Sequence, residues 1–330
     1  MSASEPHIIR YVLKNLWRLT MTDYKSDYLN SVLESYRMKH IEELINTYRT
    51  KRNEIKLFLN EQYGSHIYEP FNSGSYKKHT AINTKFDLDL VVPFKRNAFS
   101  TLEDMFEDVF GKLTEKYQHE TTIKKQGVSI GLTFDEEDEI NIDVVPARET
   151  SQDSFPVEKN LNLHKTQSDG YLKTNIHAQI EHIKAKENER KVIRLLKIWK
   201  ACHQYKYKSF FIELLVIKAY EKSSPQGNLW EQFKTVLNYI IDNIQSENFT
   251  LKDPGNSNND LALSLDDIEK NMLVFRLKSM LEQIESNEKK IEFYLPLNEK
   301  FAEDNKDENK AYGLKSSVLI STPPVSQRFG

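Results

Sequence analysis

The chain has 330 residues, and its 46 basic and 49 acidic side chains give a net charge of -3 with histidine neutral. A chain with this balance has no overall basic field for duplex phosphates, so we do not expect a DNA scaffold. With only 10 glycines, the sequence contains neither the G-x-G-x-x-G order of a dinucleotide-binding loop nor the G-x-x-x-x-G-K-[ST] order of a P-loop.

Three features of the sequence concern the compartment. The mean hydropathy is -0.63 and the sequence has no run of about 18 apolar residues, so we expect no contact with a membrane. The N-terminal residues do not show the basic-then-apolar order of a secretion signal. The single cysteine, Cys202, can form neither an internal disulfide nor a cysteine-rich zinc site. These features favour a cytoplasmic protein.

The N-terminal half predicts a helix followed by a mixed sheet. Apolar residues recur three and four positions apart over residues 27–63, which predicts one long amphipathic helix. Alternating β-branched runs then predict strands in FDLDLVVPF, KQGVSIGLTF and DEINIDVVP. The segment TLEDMFEDVFGKLTEKY, between the first two strands, has a helical pattern. We expect a mixed sheet that carries helices on a face.

After Pro146 the pattern returns to helices. HAQIEHIKAKENERKVIRLLKIWKACHQ is a long helical stretch, and SFFIELLVIKAYEK is apolar nearly all round, as is typical of a helix inside a bundle. Two further helices are predicted in NLWEQFKTVLNYIIDNIQ and SLDDIEKNMLVFRLKSMLEQIESNEKK. The predicted organisation is an N-terminal extension (1–26), a sheet-containing core with a long N-terminal helix (27–150), a helical domain (151–303) and a charged, then Ser/Pro-rich flexible tail (304–330).

Two aspartates lie two positions apart in the first predicted strand. Asp87 and Asp89 alternate with apolar residues in FDLDLVVPF, so both carboxylates are expected on one face of the strand. A third acid, Asp143, has the same setting in INIDVVP, in a later strand that can lie beside the first. Three carboxylates that converge on rigid strands form an all-oxygen site suited to Mg²⁺ or Mn²⁺. The alternative is that they are solvated acids on an open face of the sheet.

A Gly-Ser pair, Gly74 and Ser75, precedes these acids in the segment FNSGSYKKHT. At a turn into a helix, such a pair offers bare backbone N–H groups and a hydroxyl to an anion, near the positive end of the helix. Lys77 and Lys78 can add positive charge there, or they can be solvated helix lysines. An anion-binding turn close to a metal-binding triad indicates metal-assisted phosphoryl transfer from a nucleotide.

The segment GSYKKHTAINTKFDLDLVV, with Asp143 downstream, resembles the nucleotidyltransferase superfamily related to DNA polymerase β. Within it, the sequence is most similar to the bacterial cGAS/DncV-like nucleotidyltransferases (CD-NTases), the cyclic oligonucleotide synthases of CBASS anti-phage defence. Four later segments carry the similarity to this branch: DGYLKTN, VIRLLKIWK, KSFFIELLV and DPGNSNNDLA. The resemblance implies an α+β fold, with a polymerase β-like core, a C-terminal helical bundle and an active site in the cleft between them.

The resemblance also implies a role for each residue that matches the family pattern. Asp87, Asp89 and Asp143 would hold two metal ions, and Asp143 would also take the proton from the attacking ribose hydroxyl. Gly74 and Ser75 would contact the β- and γ-phosphates of the donor nucleotide.

On the helical side, Lys197 and Ser209 match residues that grip the triphosphate. Phe210 falls where relatives place an aromatic ring that stacks on a base. The alternatives are that Lys197 is a solvated helix lysine and that Phe210 is an ordinary core residue. Glu213, inside the most apolar helix, is expected to be a hydrogen-bonded structural acid.

Together these assignments predict a synthase that makes a cyclic dinucleotide or trinucleotide from ATP, GTP or both, with other nucleoside triphosphates as further substrates. An effector protein would bind the product in anti-phage defence.

One alternative is a transferase that adds a single nucleotide to a tRNA end, a protein or a small hydroxylated compound. It would need a separate acceptor, and the net charge does not indicate a basic surface for tRNA. A second alternative is a non-catalytic binding protein, which would be expected to have lost acids, whereas all three are present.

The C-terminal segment TPPVSQRFG ends in Gly330. Some defence cyclases that this chain resembles end in a small residue, which ubiquitin-like transfer enzymes join to a target. Gly330 is therefore a candidate ligation point for such a partner. The alternative is an undistinguished flexible tail.

Overall fold

The computed structural model describes residues 23–84, 86–134 and 139–302. These residues form a mixed sheet and a bundle of helices, so the predicted α+β fold is confirmed. Within them, no helix is both long enough and apolar enough to cross a membrane. Most of the predicted N-terminal extension, and the predicted tail with Gly330, lie outside the described residues.

Seven strands of the described residues form the sheet. They are β1 Phe71–Ser73, β2 Leu88–Phe94, β3 Thr121–Lys125, β4 Ile130–Phe134, β5 Ile140–Glu149, β6 Leu161–His164 and β7 Tyr171–Thr174. Their order is β1-β2-β5-β4-β3, and β6 pairs with the second half of β5 and with β7. The central pair, β2 and β5, is parallel, whereas the other pairs are antiparallel. The three predicted strands are confirmed.

Two helices replace the single helix predicted over residues 27–63. They are α1 Tyr24–Ser35 and α2 Glu42–Tyr63. Between them Arg37 is extended, and a short 3₁₀ turn follows. The buried face of α1, which includes Leu29, packs with the C-terminal helices, whereas α2 packs on the sheet. The helix breaks because the two halves of its apolar stripe face different cores.

The sheet continues further along the chain than the sequence predicts. The predicted boundary at residue 150 falls inside it, because β6 and β7 extend the sheet to Thr174. The side chains of Leu161 and Leu163 are buried beside Val145 of β5. Strands of four residues are too short to show a clear alternation, so the pattern did not reveal them. The short helices between the strands are α3 Gly74–Lys77 and α5 Phe155–Glu158, and the longer one, predicted in TLEDMFEDVFGKLTEKY, is α4 Leu102–Tyr117.

The C-terminal half is a bundle of helices. They are α6 Ile176–Lys184, α7 Glu187–Cys202, α8 Ser209–Ser223, α9 Leu229–Asn243, α10 Asp267–Ser286 and α11 Ile291–Tyr294. The long helical stretch predicted in HAQIEHIKAKENERKVIRLLKIWKACHQ contains two helices, because Lys186 takes a non-helical conformation (φ -95°, ψ 86°) and separates α6 from α7. The apolar helix α8 is buried over most of its length, as predicted. A small hairpin, Lys252–Asp253 with Asn256–Asp260, joins α9 to α10.

Candidate active site

Asp89 and Asp143 lie side by side on the two parallel strands at the centre of the sheet. They are directly paired in the register of β2 and β5, and neighbouring strands are about 4.8 Å apart. Both are buried, with exposed fractions of 6% for Asp89 and 1% for Asp143. Leu88 and Leu90 pack in the core shared with α2 and α4, so the alternation places Asp89 on the opposite face, as predicted.

Asp87 completes the triad of acids. It directly precedes β2 and is half-buried. Burial raises the pKa of Asp89 well above its usual range, and the carboxylates of Asp143 and Asp87 raise it further. Three carboxylates that repel one another fit a hard cation such as Mg²⁺ or Mn²⁺, which binds oxygen ligands and relieves the repulsion.

The three acids alone do not form a complete metal-binding site. Across the described ranges, no group of three or more His, Cys, Asp or Glu side chains is arranged so that it could hold a metal ion by itself. Magnesium sites in phosphoryl-transfer enzymes commonly use one or two carboxylates and complete their coordination with substrate phosphates and water. The arrangement of the three acids is compatible with a metal that binds together with its nucleotide.

Gly74 stands against the carboxylate of Asp89. It follows Ser73, the residue paired with Asp89 between β1 and β2. Its φ of +71° lies in the left-handed region that glycine adopts without strain. A Cβ at this position would lie 1.4 Å from Oδ2 of Asp89. No side chain can fit there, so the Gly-Ser turn and the acids form one packed unit.

The helix that follows the turn is shorter than the sequence argument assumes. Helix α3 contains only the four residues Gly74–Lys77. A single turn has few aligned peptide dipoles, so the positive end of a helix contributes less to anion binding than expected. The phosphate contact predicted for Ser75 therefore depends on its hydroxyl and on the local backbone N–H groups.

A cavity of about 580 Å³ lies between the sheet and the helices. The Asp triad and the Gly-Ser turn line one side, and residues from the end of α7 and the start of α8 line the other. All eight residues predicted for the site line this cavity: Gly74, Ser75, Asp87, Asp89, Asp143, Lys197, Ser209 and Phe210. The cleft predicted between the core and the helical bundle is therefore present, whereas the roles of the eight residues stay predictions.

Lys197 belongs to a buried network of charged side chains. Its Nζ lies 2.5 Å from Oε1 of Glu213 and donates a hydrogen bond of 2.9 Å to Oγ1 of Thr80. Nζ of Lys78 lies 2.6 Å from the other carboxylate oxygen of Glu213. All four side chains are buried. The interpretation of Lys197 as a solvated helix lysine is therefore wrong, and so is the same interpretation of Lys78.

Glu213 is the shared partner in this network. Burial would raise the pKa of Glu213, but the charges and hydrogen bonds of Lys197 and Lys78 outweigh it and lower the pKa to about 2. Glu213 thus stays ionised, and the prediction of a hydrogen-bonded structural acid is confirmed. Because two positive charges face one negative charge, the network carries one net positive charge beside the acids.

Ser209 and Phe210 begin α8 at the edge of the cavity. The hydroxyl of Ser209 accepts a hydrogen bond of 3.1 Å from Nζ of Lys200, which also donates to the backbone oxygen of Tyr207 at 2.7 Å. Phe210 is half-buried, with Nζ of Lys78 4.8 Å from its ring centroid. One part of its surface packs against the bundle core, as in an ordinary core residue, and another part lines the cavity, where a base could stack on it.

Sequence reasoning missed several residues of the cavity. Lys200, Lys206 and Lys208 line it beside Ser209. The lysines that alternate with tyrosines in QYKYKSF are a basic and aromatic pattern that could have indicated a site for an anion with a ring. Gln126, which contacts Asp143, was also missed, and no motif in the sequence indicates it.

Known proteins share this fold. A family model described as "Second Messenger Oligonucleotide or Dinucleotide Synthetase domain" matches residues 25–187. Over these residues, just under half of its length, the chain is similar to the cGAS/DncV-like nucleotidyltransferases. A divalent metal is typical of that family.

The chain is 24% identical over 200 residues to the CBASS oligonucleotide cyclase CdnC of Escherichia coli (strain KTE188). That alignment covers 56% of this chain and 60% of the relative, so the chain spans less than two thirds of the curated relative's length. Two solved structures share the fold. CdnG of Bradyrhizobium diazoefficiens in complex with GTP has a TM-score of 0.67 at 12% identity and covers 86% of this chain and 97% of its own. CdnC of E. coli MS115-1 with ATP has a TM-score of 0.62 at 18% identity and covers 81% and 92%.

Proposed function

We propose that this CD-NTase is a cyclic oligonucleotide synthase, which joins ATP, GTP or both into a cyclic dinucleotide or trinucleotide and releases pyrophosphate. The observation that carries this proposal is the cavity itself. Its sheet side carries Asp89, which packs against Gly74, and the paired Asp143, and its helical side carries lysines. A nucleoside triphosphate fits between these sides, because its anionic phosphates can bind the lysines while its α-phosphate lies near the acids.

Each transfer makes one P–O bond and breaks another. A 2′ or 3′ ribose hydroxyl attacks the α-phosphate of a second nucleotide, and the bond to pyrophosphate breaks. We assign Asp143 to take the proton of the attacking hydroxyl. Asp87, Asp89 and Asp143 would together hold two divalent ions, Mg²⁺ or Mn²⁺, which when bound supply charge neutralisation at the reacting phosphate. A further transfer within the linear product closes the ring.

The helical side of the cavity holds the donor nucleotide in this proposal. Lys197 and Ser209 bind the triphosphate, and the half-buried ring of Phe210 offers a face for a base. The net positive charge of the Lys78, Glu213 and Lys197 network supports the same contact, because the network is buried and water screens it little. Ser75 and the backbone at Gly74 contact the β- and γ-phosphates from the sheet side.

Product analysis tests the proposal directly. The protein is incubated with Mg²⁺ and the four α-labelled nucleoside triphosphates, and the mixture is then treated with phosphatase. We expect a labelled product that resists phosphatase, because a ring has no terminal phosphate, and mass spectrometry gives its bases and ring size. The variant Asp87→Ala with Asp89→Ala should abolish the product. Absence of a resistant product with every nucleotide would overturn the proposal, and label joined to a separate acceptor would indicate a single-nucleotide transferase.

The proposal places the enzyme in the bacterial cytoplasm, where its nucleotide substrates are made. An effector protein of anti-phage defence would bind the product.

A further inference from the structure

A glutamine lies within hydrogen-bonding distance of Asp143. Nε2 of Gln126 donates a hydrogen bond of 3.2 Å to Oδ1 of Asp143. Gln126 directly follows β3, and its side chain reaches past β4 to β5, where Asp143 is located. Its exposed fraction is only 9%. The contact is therefore made in the interior, where few water molecules can replace it.

The orientation of the Gln126 amide is fixed at its other end. Oε1 of Gln126 accepts a hydrogen bond of 3.1 Å from the hydroxyl of Ser129, which is fully buried. Because an ionised carboxylate can only accept hydrogen bonds, the NH₂ group must face Asp143. Backbone contacts hold the same turn, since Gln126 N donates to Ser129 O at 2.8 Å and Thr166 Oγ1 donates to Gln126 O at 2.6 Å. The amide thus has one orientation that satisfies both partners.

A glycine makes room for this contact. Gly131 on β4 is paired with Asp143 in the sheet register. A Cβ at Gly131 would lie 2.1 Å from Nε2 of Gln126, and 3.2 Å from Oδ1 of Asp143. The nearest atom is the end of a flexible side chain, so an alanine here would displace Gln126 rather than unfold the sheet. Gly131 is therefore what lets Gln126 reach Asp143.

We propose that Gln126 is a positioning residue that fixes the rotation of the Asp143 carboxylate. The final torsion of an aspartate side chain is broad, so each hydrogen bond to the carboxylate narrows the range of its rotation. A hydrogen bond to one oxygen restricts this rotation and sets the direction of the other oxygen. The inference rests on the proposed function, because it assumes that Asp143 acts on the ribose hydroxyl and on the metal.

Loss of the hydrogen bond from Gln126 should lower mainly the rate of the chemical step. Residues that orient metal ligands typically contribute about 10- to 100-fold to activity or metal affinity. Gln126→Ala should therefore lower kcat about 10- to 100-fold and raise the Mg²⁺ concentration needed for half-maximal activity. The KM for nucleotide should change little, because the triphosphate is held by the lysines on the opposite side of the cavity. A purely structural role would instead lower the thermal stability without separating kcat from KM.

A double-mutant comparison tests the geometry. Gly131→Ala should lower kcat as much as Gln126→Ala does, because the new methyl group displaces the amide of Gln126. In the double variant, kcat should fall no further than in Gly131→Ala alone. The Gln126 side chain that the methyl group would displace is already absent there. Losses that multiply in the double variant would overturn the proposal, and so would wild-type kcat and metal dependence in Gln126→Ala. The exposed Gln118, replaced by alanine, is the matched control and should behave as the wild type.

Binding of Mn²⁺, followed by electron paramagnetic resonance in the presence of a non-hydrolysable ATP analogue, gives a readout without turnover. Gln126→Ala should weaken Mn²⁺ binding about 10- to 100-fold relative to the wild type and to Gln118→Ala. Equal Mn²⁺ affinity in all three proteins would overturn the positioning role, even if no cyclic product is found. A wild type that makes no product but loses Mn²⁺ affinity on Gln126→Ala would refute the proposed function alone.

Discussion

Lys78 and Glu213 form a buried ion pair, with 2.6 Å between Nζ and Oε2, although 135 positions separate them in the chain. Lys78 follows the Gly-Ser turn at the sheet, and Glu213 lies in α8 of the bundle. The pair, extended by Lys197, thus connects the two sides of the cavity. Its strength affects both the stability of the fold and the position of the groups that face the substrate.

We expect Glu213→Gln to lower the free energy of unfolding by about 3 to 5 kcal/mol, because it leaves two buried lysines without a counter-charge. Urea denaturation followed by circular dichroism measures this change. The control is the exposed pair of Lys234 and Glu285, also 2.6 Å apart. Glu285→Gln should cost only about 0 to 1 kcal/mol, because water screens that pair. Equal costs for the two variants would contradict the role given to the buried network.

The same network predicts a dependence of stability on pH. Lys197 and Lys78 overcome the effect of burial and lower the pKa of Glu213 from 4.5 to about 2. A carboxyl whose pKa is lower in the folded state stabilises the fold above its unfolded pKa, and this contribution is lost as the pH falls toward the folded pKa. The difference in unfolding free energy between the wild type and Glu213→Gln should therefore shrink from pH 4.5 to about 2. Denaturation curves at several pH values test this, and a constant difference would refute it.

Gly74→Ala should abolish synthesis and weaken nucleotide binding, because the added Cβ would overlap Oδ2 of Asp89 and because the φ of +71° strains alanine. Gly74→Val should be at least as damaging. Isothermal titration with ATP and Mg²⁺ measures the binding. Gly111→Ala is the control, because it lies within α4 with nothing within 4 Å of its Cβ position. That variant should keep activity and gain up to about 1 kcal/mol of stability. Normal synthesis by Gly74→Val would show that the Gly-Ser turn is not part of the active site.

Asp89→Asn should make the metal-free protein more stable while abolishing synthesis. Burial and the neighbouring acids raise the pKa of Asp89, so ionising this carboxyl costs more free energy in the folded protein than in the unfolded chain, which opposes folding above the unfolded pKa. The gain in unfolding free energy should be about 1 kcal/mol or more, and should disappear at pH values below the pKa of the unfolded chain, where the carboxyl is neutral in both states. Denaturation at pH 7 and pH 3 measures both quantities.

A thermal shift experiment with Mg²⁺ and a non-hydrolysable ATP analogue complements this variant. A ligand that binds only the folded protein raises its Tm. The wild type should show this rise, whereas Asp89→Asn should show a much smaller one, because a metal ligand is missing. An equal rise in the two proteins would argue against Asp89 as a metal ligand.

The hydrophobic periodicity predicted an element correctly wherever that element is long and has a single apolar face. Helices α4 and α8 and strands β2 and β5 are where the sequence predicted them. The predictions failed where distant packing decides the backbone. The stripe over residues 27–63 has a continuous helical period, yet the chain bends at Arg37 because α1 and α2 pack on different cores. Strands β6 and β7 have four residues each and form because β5 offers them an edge.

The sequence by itself predicted the chemistry that we propose for this protein, since its Gly-Ser pair and three aspartates resemble the pattern of a nucleotidyltransferase. Only the tertiary structure decided which other side chains share the cavity. Glu213 lies 135 positions from Lys78, and Gln126 lies 17 positions from Asp143. Both pairs depend on how strands and helices pack, and a hydrogen bond between distant residues leaves no period or spacing in the chain. Local physics therefore predicts the reacting groups, whereas long-range packing sets their partners, their charges and their orientation.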